Sequence, residues 1–218
     1  MPAALLFDLD GTMMMTDPIH RAVFADLLAP RGVVVDEAYY AAHIHGRMNL
    51  DFFAEAFPDE PDPQALSEAK EAEFRRRLPR PYPATPGLAA LLARARAAGW
   101  ETAVVTNAPR LNAEAMLEAI GVRASFDVIV SGEETPRGKP APDPYLAAMR
   151  LLRVGPAESI AFEDSPAGLA AARASGAFTV GIGPDPAALR RAGAEVAIRD
   201  FTDPALEPVL LRLTGEAA

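Results

Sequence analysis

The chain has 218 residues, 50% of them hydrophobic and 23% charged, and a net charge of -9. That composition supports a packed core and excludes overall disorder. The acidic balance argues against nucleic acid or an anionic membrane as partner, since both select basic surfaces. No apolar run approaches the ~20 residues of a bilayer span. With no cysteine there are no disulfides, no thiolate catalysis and no cysteine-ligated metal. The opening segment, Met1-Pro2-Ala3-Ala4-Leu5-Leu6-Phe7-Asp8, lacks a basic stretch and reads as a buried strand instead of a secretion signal, so the expected compartment is cytoplasmic. Of 21 basic residues only two are lysine, Lys70 and Lys139. Where arginine is so favoured, a surviving lysine marks a place that suits a compact point charge.

In chain order, residues 3–9 form a short apolar run without helical period, bounded by Asp10-Gly11, as a strand buried on both faces would be. From 18 to about 78 the signal is helical. Ile19, Val23, Leu27 and Leu28 recur at helical spacing before Gly32. Asn49 is a candidate cap for a stretch carrying Phe52, Phe53 and Phe57, and a charged helix is expected over 65–78. No strand is expected in this segment. Pro79-Arg80-Pro81-Tyr82-Pro83 then reads as a stiff linker.

Beyond it the pattern alternates. Helices are expected over 86–98, 111–120, 144–152 and 166–174, and strands over 102–106, 126–130, 159–162 and 178–182. A short helix, a strand near 196–198 and a final helix follow. Alternation of this kind implies an α/β fold, a doubly wound parallel sheet covered on both faces. The helical segment interrupts it after the first strand, so it reads as an inserted α-helical cap domain. The expected division is 1–14 with 84–218 for the core and 15–83 for the cap.

Open parallel sheets bind ligands beyond the carboxyl ends of their strands. Four such ends carry polar groups: Asp8-Leu9-Asp10-Gly11-Thr12, Thr106-Asn107, the loop with Gly138-Lys139-Pro140, and Glu163-Asp164-Ser165. Asp8 and Asp10, two residues apart, project to the same side, which is costly unless a cation or proton is shared. Each motif alone has an ordinary explanation: a turn, a helix cap or a solvated charge. Together, acids from two strands suit a hard divalent cation such as Mg²⁺. A lysine, a hydroxyl and a helix start suit a phosphate. A carboxylate held between the two can attack phosphorus.

These four motifs, extended to Gly138-Lys139-Pro140-Ala141-Pro142-Asp143 and Glu163-Asp164-Ser165-Pro166-Ala167-Gly168, resemble the four ordered motifs of the haloacid-dehalogenase-like superfamily. The similarity is to its phosphatase and phosphomutase branch with a helical cap, and it spans nearly the whole chain. The resemblance implies that Asp8 is the nucleophile, forming an aspartyl-phosphate and ligating Mg²⁺. It makes Asp10 the general acid/base, with its carbonyl on the metal, Asp164 a further metal ligand and Glu163 the holder of a metal-bound water. Thr106, the amide of Asn107 and Lys139 would bind the transferring phosphoryl group. An acid at Asp10 separates phosphoester chemistry from dehalogenation.

In the cap, the resemblance points to His20 in Pro18-Ile19-His20, Arg47 in Gly46-Arg47, and Lys70 before Phe74 as substrate contacts. His43 and His45 lack the third partner a zinc site needs. Met15 stands where family members usually carry an acid. The implied activity is Mg²⁺-dependent hydrolysis of a small phosphorylated metabolite, a sugar phosphate or phosphoglycolate, by a monomer or homodimer. A β-phosphoglucomutase-like phosphomutase shares every core residue; a phospho-accepting or ligand-binding module without turnover is the reading from another class. Gly11-Thr12 favours the phosphatase.

Overall fold

A computed structural model describes residues 3–44 and 47–213. They form two compact units: residues up to Met15 with those from Pro81 onward, and Thr16–Arg80. The divisions thus fall at 15/16 and 80/81, against the 14/15 and 83/84 expected. Tyr82 explains the second difference. Its N–H donates to the Ala119 carbonyl at 2.8 Å and its hydroxyl to the Met15 carbonyl at 2.6 Å, which ties the end of the Pro-rich stretch to the first unit.

The first unit is a six-stranded, wholly parallel sheet. Its strands are β1 (Ala4–Phe7), β2 (Glu101–Thr106), β3 (Val128–Ser131), β4 (Ser159–Glu163), β5 (Phe178–Ile182) and β6 (Val196–Ile198), in the order β3-β2-β1-β4-β5-β6. Every residue of β1 is buried, as its unbroken apolar run requires of a central strand. Its side chains alternate between the two faces. On one face, Ala4 and Leu6 join a cluster with Ala103, Val105, Val130 and Ala161. That cluster is closed by Tyr145, Ala148, Met149 and Leu152 of helix α7 (Asp143–Leu152) and by Ala171 and Ala172 of helix α8 (Pro166–Ser175). On the other, Phe7 stacks on Phe162 with centroids 4.9 Å apart and meets Phe126 and Phe201 edge-on. Alanine at the helix contacts lets backbones approach closely, and each buried Leu or Phe contributes about 1.5–3 kcal/mol.

The second unit holds α1 (Asp17–Leu28), α2 (Glu37–His43), α3 (Asn49–Ala56) and α4 (Pro63–Arg77). Phe24, Leu28, Val35, Tyr40, Ile44, Phe52 and Phe53 form its core. Helix α2 is not among the expected elements; at seven residues it is too short to show a period, but Asp36 caps it by accepting from the Tyr39 N–H at 2.8 Å. Asn49 is the first residue of α3 and does not cap it. Its side-chain amide donates instead to Glu71 at 2.6 Å and to Ser67 at 3.2 Å. Among the described residues no helix is long and apolar enough to cross a membrane. The remaining helices of the first unit are α5 (Leu88–Ala98), α6 (Arg110–Ala119), α9 (Pro186–Arg191) and α10 (Glu207–Leu211).

Candidate active site

The strand order reverses beside β1: the chain runs outward through β2 and β3, then returns to place β4 on the other side of β1. Such a switch point opens a crevice at the carboxyl ends of the strands. Register brings acids to it. Phe7 is level with Phe162, and the Asp8 N–H donates to the Phe162 carbonyl at 2.9 Å, so Asp8 follows β1 beside Glu163, the last residue of β4. Neighbours level in a parallel sheet point to the same face, here the face covered by α7.

Carboxylate oxygens of Asp8, Glu163 and Asp164 come within 4.8 Å of one another. Lys139 is set among them, its side chain only 4% exposed. Its ammonium donates to Asp8 Oδ1 at 2.6 Å, to Glu163 Oε1 at 2.5 Å and to the Val105 carbonyl at 2.6 Å. Three ammonium protons thus meet three acceptors.

Asp164 approaches through Gly11, whose φ of +87° is a conformation that favours glycine. A Cβ there would lie 2.0 Å from Asp164 Oδ2. The buried Thr12 hydroxyl donates to Asp164 Oδ1 at 3.4 Å.

The electrostatics follow from crowding. Burial, then the neighbouring Glu163 and Asp10, push Asp8 up to about 7 despite Lys139. Burial, then Asp8 and Glu163, push Asp164 up to about 9. Burial alone would depress Lys139, but Asp8 and Glu163 outweigh it and hold its pKa above the usual lysine value. Three carboxylates against one ammonium leave two negative charges if all ionise, which is the charge of one divalent cation. Glu163 Oε2 is buried and accepts no hydrogen bond. The donor set is oxygen only, as a hard ion such as Mg²⁺ prefers. The residues present therefore fit such an ion.

The phosphate-binding candidates are placed differently. Thr106 is buried at the end of β2, where its hydroxyl accepts from the Ala108 N–H at 3.1 Å. The Asn107 side chain is spent on the Lys139 backbone: Oδ1 accepts from its N–H at 2.9 Å and Nδ2 donates to its carbonyl at 3.1 Å. Asp10 makes a backbone bridge to Met14, and its carboxylate is not part of the three-acid cluster.

In the helical unit, Lys70 and His20 come together while Arg47 stands apart. The Lys70 ammonium lies 2.8 Å from His20 Nδ1 and donates to Glu71 at 2.9 Å, between the ring faces of Phe24 and Phe74. His20 stacks on Phe74 with centroids 4.0 Å apart. Arg47 is exposed and pairs with Glu55 at 2.6 Å. His43 ends α2 with its ring against Tyr39; His45 and Gly46 lie outside the described residues.

Sequence reasoning gave no role to Tyr145. Its hydroxyl donates to Glu163 Oε1 at 2.6 Å and its ring centroid lies 5.3 Å from the Lys139 ammonium. The available signal was a lone aromatic hydroxyl at the start of an otherwise apolar helix face, directly after the lysine loop.

The chain is similar to known proteins over most of its length. Residues 2–176 match the model of the haloacid dehalogenase-like hydrolase family. Protein CbbY of Rhodobacter capsulatus is 33% identical over 188 residues, 79% of this chain and 82% of that protein. Validoxylamine A 7'-phosphate phosphatase of Streptomyces hygroscopicus subsp. limoneus is 32% identical over 200 residues, 91% and 93% of the two chains. A crystal structure of a CbbY variant from Rhodobacter sphaeroides in complex with xylulose-(1,5)bisphosphate superimposes with a TM-score of 0.81 at 31% identity, covering 92% of this chain and 95% of that one. With a family model matching most of the chain, and with relatives at 30–32% identity named as phosphatases, the chain belongs to the haloacid dehalogenase-like hydrolase family, among its phosphatases.

Proposed function

We propose that this protein is a Mg²⁺-dependent phosphatase of sugar-phosphate type that works through an aspartyl-phosphate. The observation that carries the proposal is the Asp8 carboxylate, fixed by Lys139 at the switch point beside Glu163 and Asp164. The substrate class is supported by the relatives, one crystallised with xylulose-(1,5)bisphosphate and another named for a phosphate ester.

Phosphoryl transfer asks chiefly for positioning and charge neutralisation. Asp8 and Asp164, with the Asp10 carbonyl, would hold Mg²⁺, and Glu163 would order its water. When bound, the ion lets these acids ionise together and neutralises oxygens of the phosphoryl group. An Asp8 oxygen bonds to phosphorus as the ester P–O bond breaks, and Asp10 gives its proton to the leaving oxygen. Asp10 then takes a proton from water, whose oxygen bonds to phosphorus as the bond to Asp8 breaks. Phosphate leaves and Asp8 is restored. Lys139 steadies the negative charge on Asp8 and on the phosphoryl oxygens, Thr106 and the Asn107 amide contact those oxygens, and Asn107 keeps the lysine in place. Substrate choice is assigned to the helical unit, with His20 and Arg47 as contacts and Lys70 behind His20.

The test is phosphate release from a panel of sugar phosphates and other small phosphoesters, with and without Mg²⁺, using Asp8→Asn as control. Metal-dependent release from a few sugar phosphates, lost in the variant, is expected. Release that ignores Mg²⁺ or survives Asp8→Asn would overturn the mechanism. Transfer to a second hydroxyl without net release would make the protein a phosphomutase.

A further inference from the structure

Glu163 is gripped from two sides by residues outside the catalytic set. On one side the Tyr145 hydroxyl donates to Oε1 at 2.6 Å, the same oxygen that accepts from Lys139 at 2.5 Å. On the other, Gly168 in the first turn of α8 leaves the room that Oε2 occupies. A Cβ at Gly168 would lie 1.8 Å from Oε2 and 2.0 Å from the carboxyl carbon, an overlap that only movement of the carboxylate could relieve. Both supports are rigid. Tyr145 is fully buried in the apolar cluster beneath the sheet, and Gly168 is fastened by its N–H to the Ser165 hydroxyl at 3.1 Å. Glu163 has no exposed surface.

We infer that Tyr145 and Gly168 are positioning residues that clamp the Glu163 carboxylate and, through it, hold the Lys139 ammonium against Asp8. The inference rests on the function proposed above. Its physical content is a division of labour at one oxygen. With two donors on Oε1, Lys139 shares its protons among Glu163, Asp8 and the Val105 carbonyl. Without the phenol, Lys139 becomes the remaining donor of the pair, and the ammonium is drawn toward Glu163 and away from Asp8. Glu163 also gains freedom to turn, which displaces Oε2, the buried oxygen that accepts no hydrogen bond. Supports one layer behind a metal commonly govern its affinity and the activity to about 10–100-fold.

Tyr145→Phe tests this because it removes one oxygen and keeps the ring that fills the core. Four quantities are read: Mg²⁺ affinity by calorimetry without substrate, kcat, KM and the melting temperature. Expected are about tenfold weaker Mg²⁺ binding and about tenfold lower kcat, with KM within about twofold. Combined with Glu163→Gln, the losses should not multiply, because both changes cut the same link. Met149→Ala, a cavity in the same cluster, is the control: it lowers the melting temperature and leaves kcat and Mg²⁺ affinity in place. Gly168→Ala should weaken Mg²⁺ binding more than Tyr145→Phe does. Unchanged Mg²⁺ affinity in Tyr145→Phe, or losses that multiply with Glu163→Gln, would overturn the clamp. If the wild-type protein binds Mg²⁺ but hydrolyses no phosphoester, the functional reading fails, and the calorimetric comparison still decides the clamp.

Discussion

Lys139 lies in the sheet-bearing unit and Lys70 in the helical unit, and both side chains are nearly closed to solvent, 4% and 3% exposed. Around Lys139 acid is in excess. Asp8, Glu163 and Asp164 share one ammonium, and Asp8 and Asp164 rise to about 7 and about 9. Lys70 is paired with Glu71. Burial would raise the Glu71 pKa, yet the Lys70 ammonium beside it holds it below the usual carboxylate value, and two aromatic faces and His20 complete the enclosure. A close buried pair offsets part of its desolvation cost, whereas carboxylates in excess of their cation leave charge for something else to neutralise. The two buried lysines thus stand in opposite surroundings: beside Lys139 carboxylates shift up, beside Lys70 the carboxylate shifts down.

Substitutions can break this contrast. The largest effect is expected from Asp8→Asn. Loss of the attacking oxygen should reduce phosphate release by more than about 1,000-fold, or about 4 kcal/mol of barrier, while circular dichroism shows the fold retained. Residual turnover near wild type would remove Asp8 from the chemistry. Next, Lys70→Met should cost about 3 kcal/mol in urea unfolding, because it removes the ammonium 2.9 Å from the Glu71 carboxylate; a cost near zero would mean that this cation is not needed by the helical unit. Lys139→Arg should lower kcat by roughly 50-fold, since a planar fork cannot serve three acceptors grouped around one nitrogen. Wild-type turnover in that variant would contradict the need for a point charge.

The smallest effect is a pH slope. Because the folded-state pKa of Glu71 is depressed, its contribution is complete above the ordinary value of 4.5 and disappears as pH falls through the lower folded value. The wild-type urea midpoint should therefore drop on acidification below 4.5, and drop less steeply in Lys70→Met. Parallel slopes in the two proteins would rule out the pair as the source.

The ends of β1 and β4 were legible in the sequence because Asp8 and Glu163 each follow a short, mostly apolar run, where a charge has no structural use. Asp8 and Glu163-Asp164 stood out that way, Thr106 as the polar end of a strand and Lys139 as one of two lysines in a Gly-Lys-Pro loop, and the parallel order followed from strand–helix alternation. Tyr145 was not, since an aromatic on an apolar helix face looks like ordinary packing, and Gly168, although part of the fourth motif, had no stated purpose until the Glu163 carboxylate was seen against it. Asn107 was read by its backbone amide, and its side-chain hold on Lys139 depends on a pairing 32 residues away. Asn49 looked like a cap because Asn often is one; tertiary contacts with Ser67 and Glu71 took its side chain instead. Helix α2 was missed because seven residues are too few to establish a period.

The pairing of Asn107 with the Lys139 backbone has a consequence for how the fold tolerates change. It works as a buckle: two loops are fastened side chain to main chain at 2.9 and 3.1 Å, with the polypeptide between them looping out and back. The spacing of Thr106 and Lys139 is then set by the fastening and not by the length of the strap. The turn at Arg123–Ser125 between α6 and β3 lies outside this fastening and is held by its own contacts, the Ser125 carbonyl accepting from the Thr102 hydroxyl at 2.6 Å. Cutting the buckle would remove the direct link that holds the lysine loop against the end of β2.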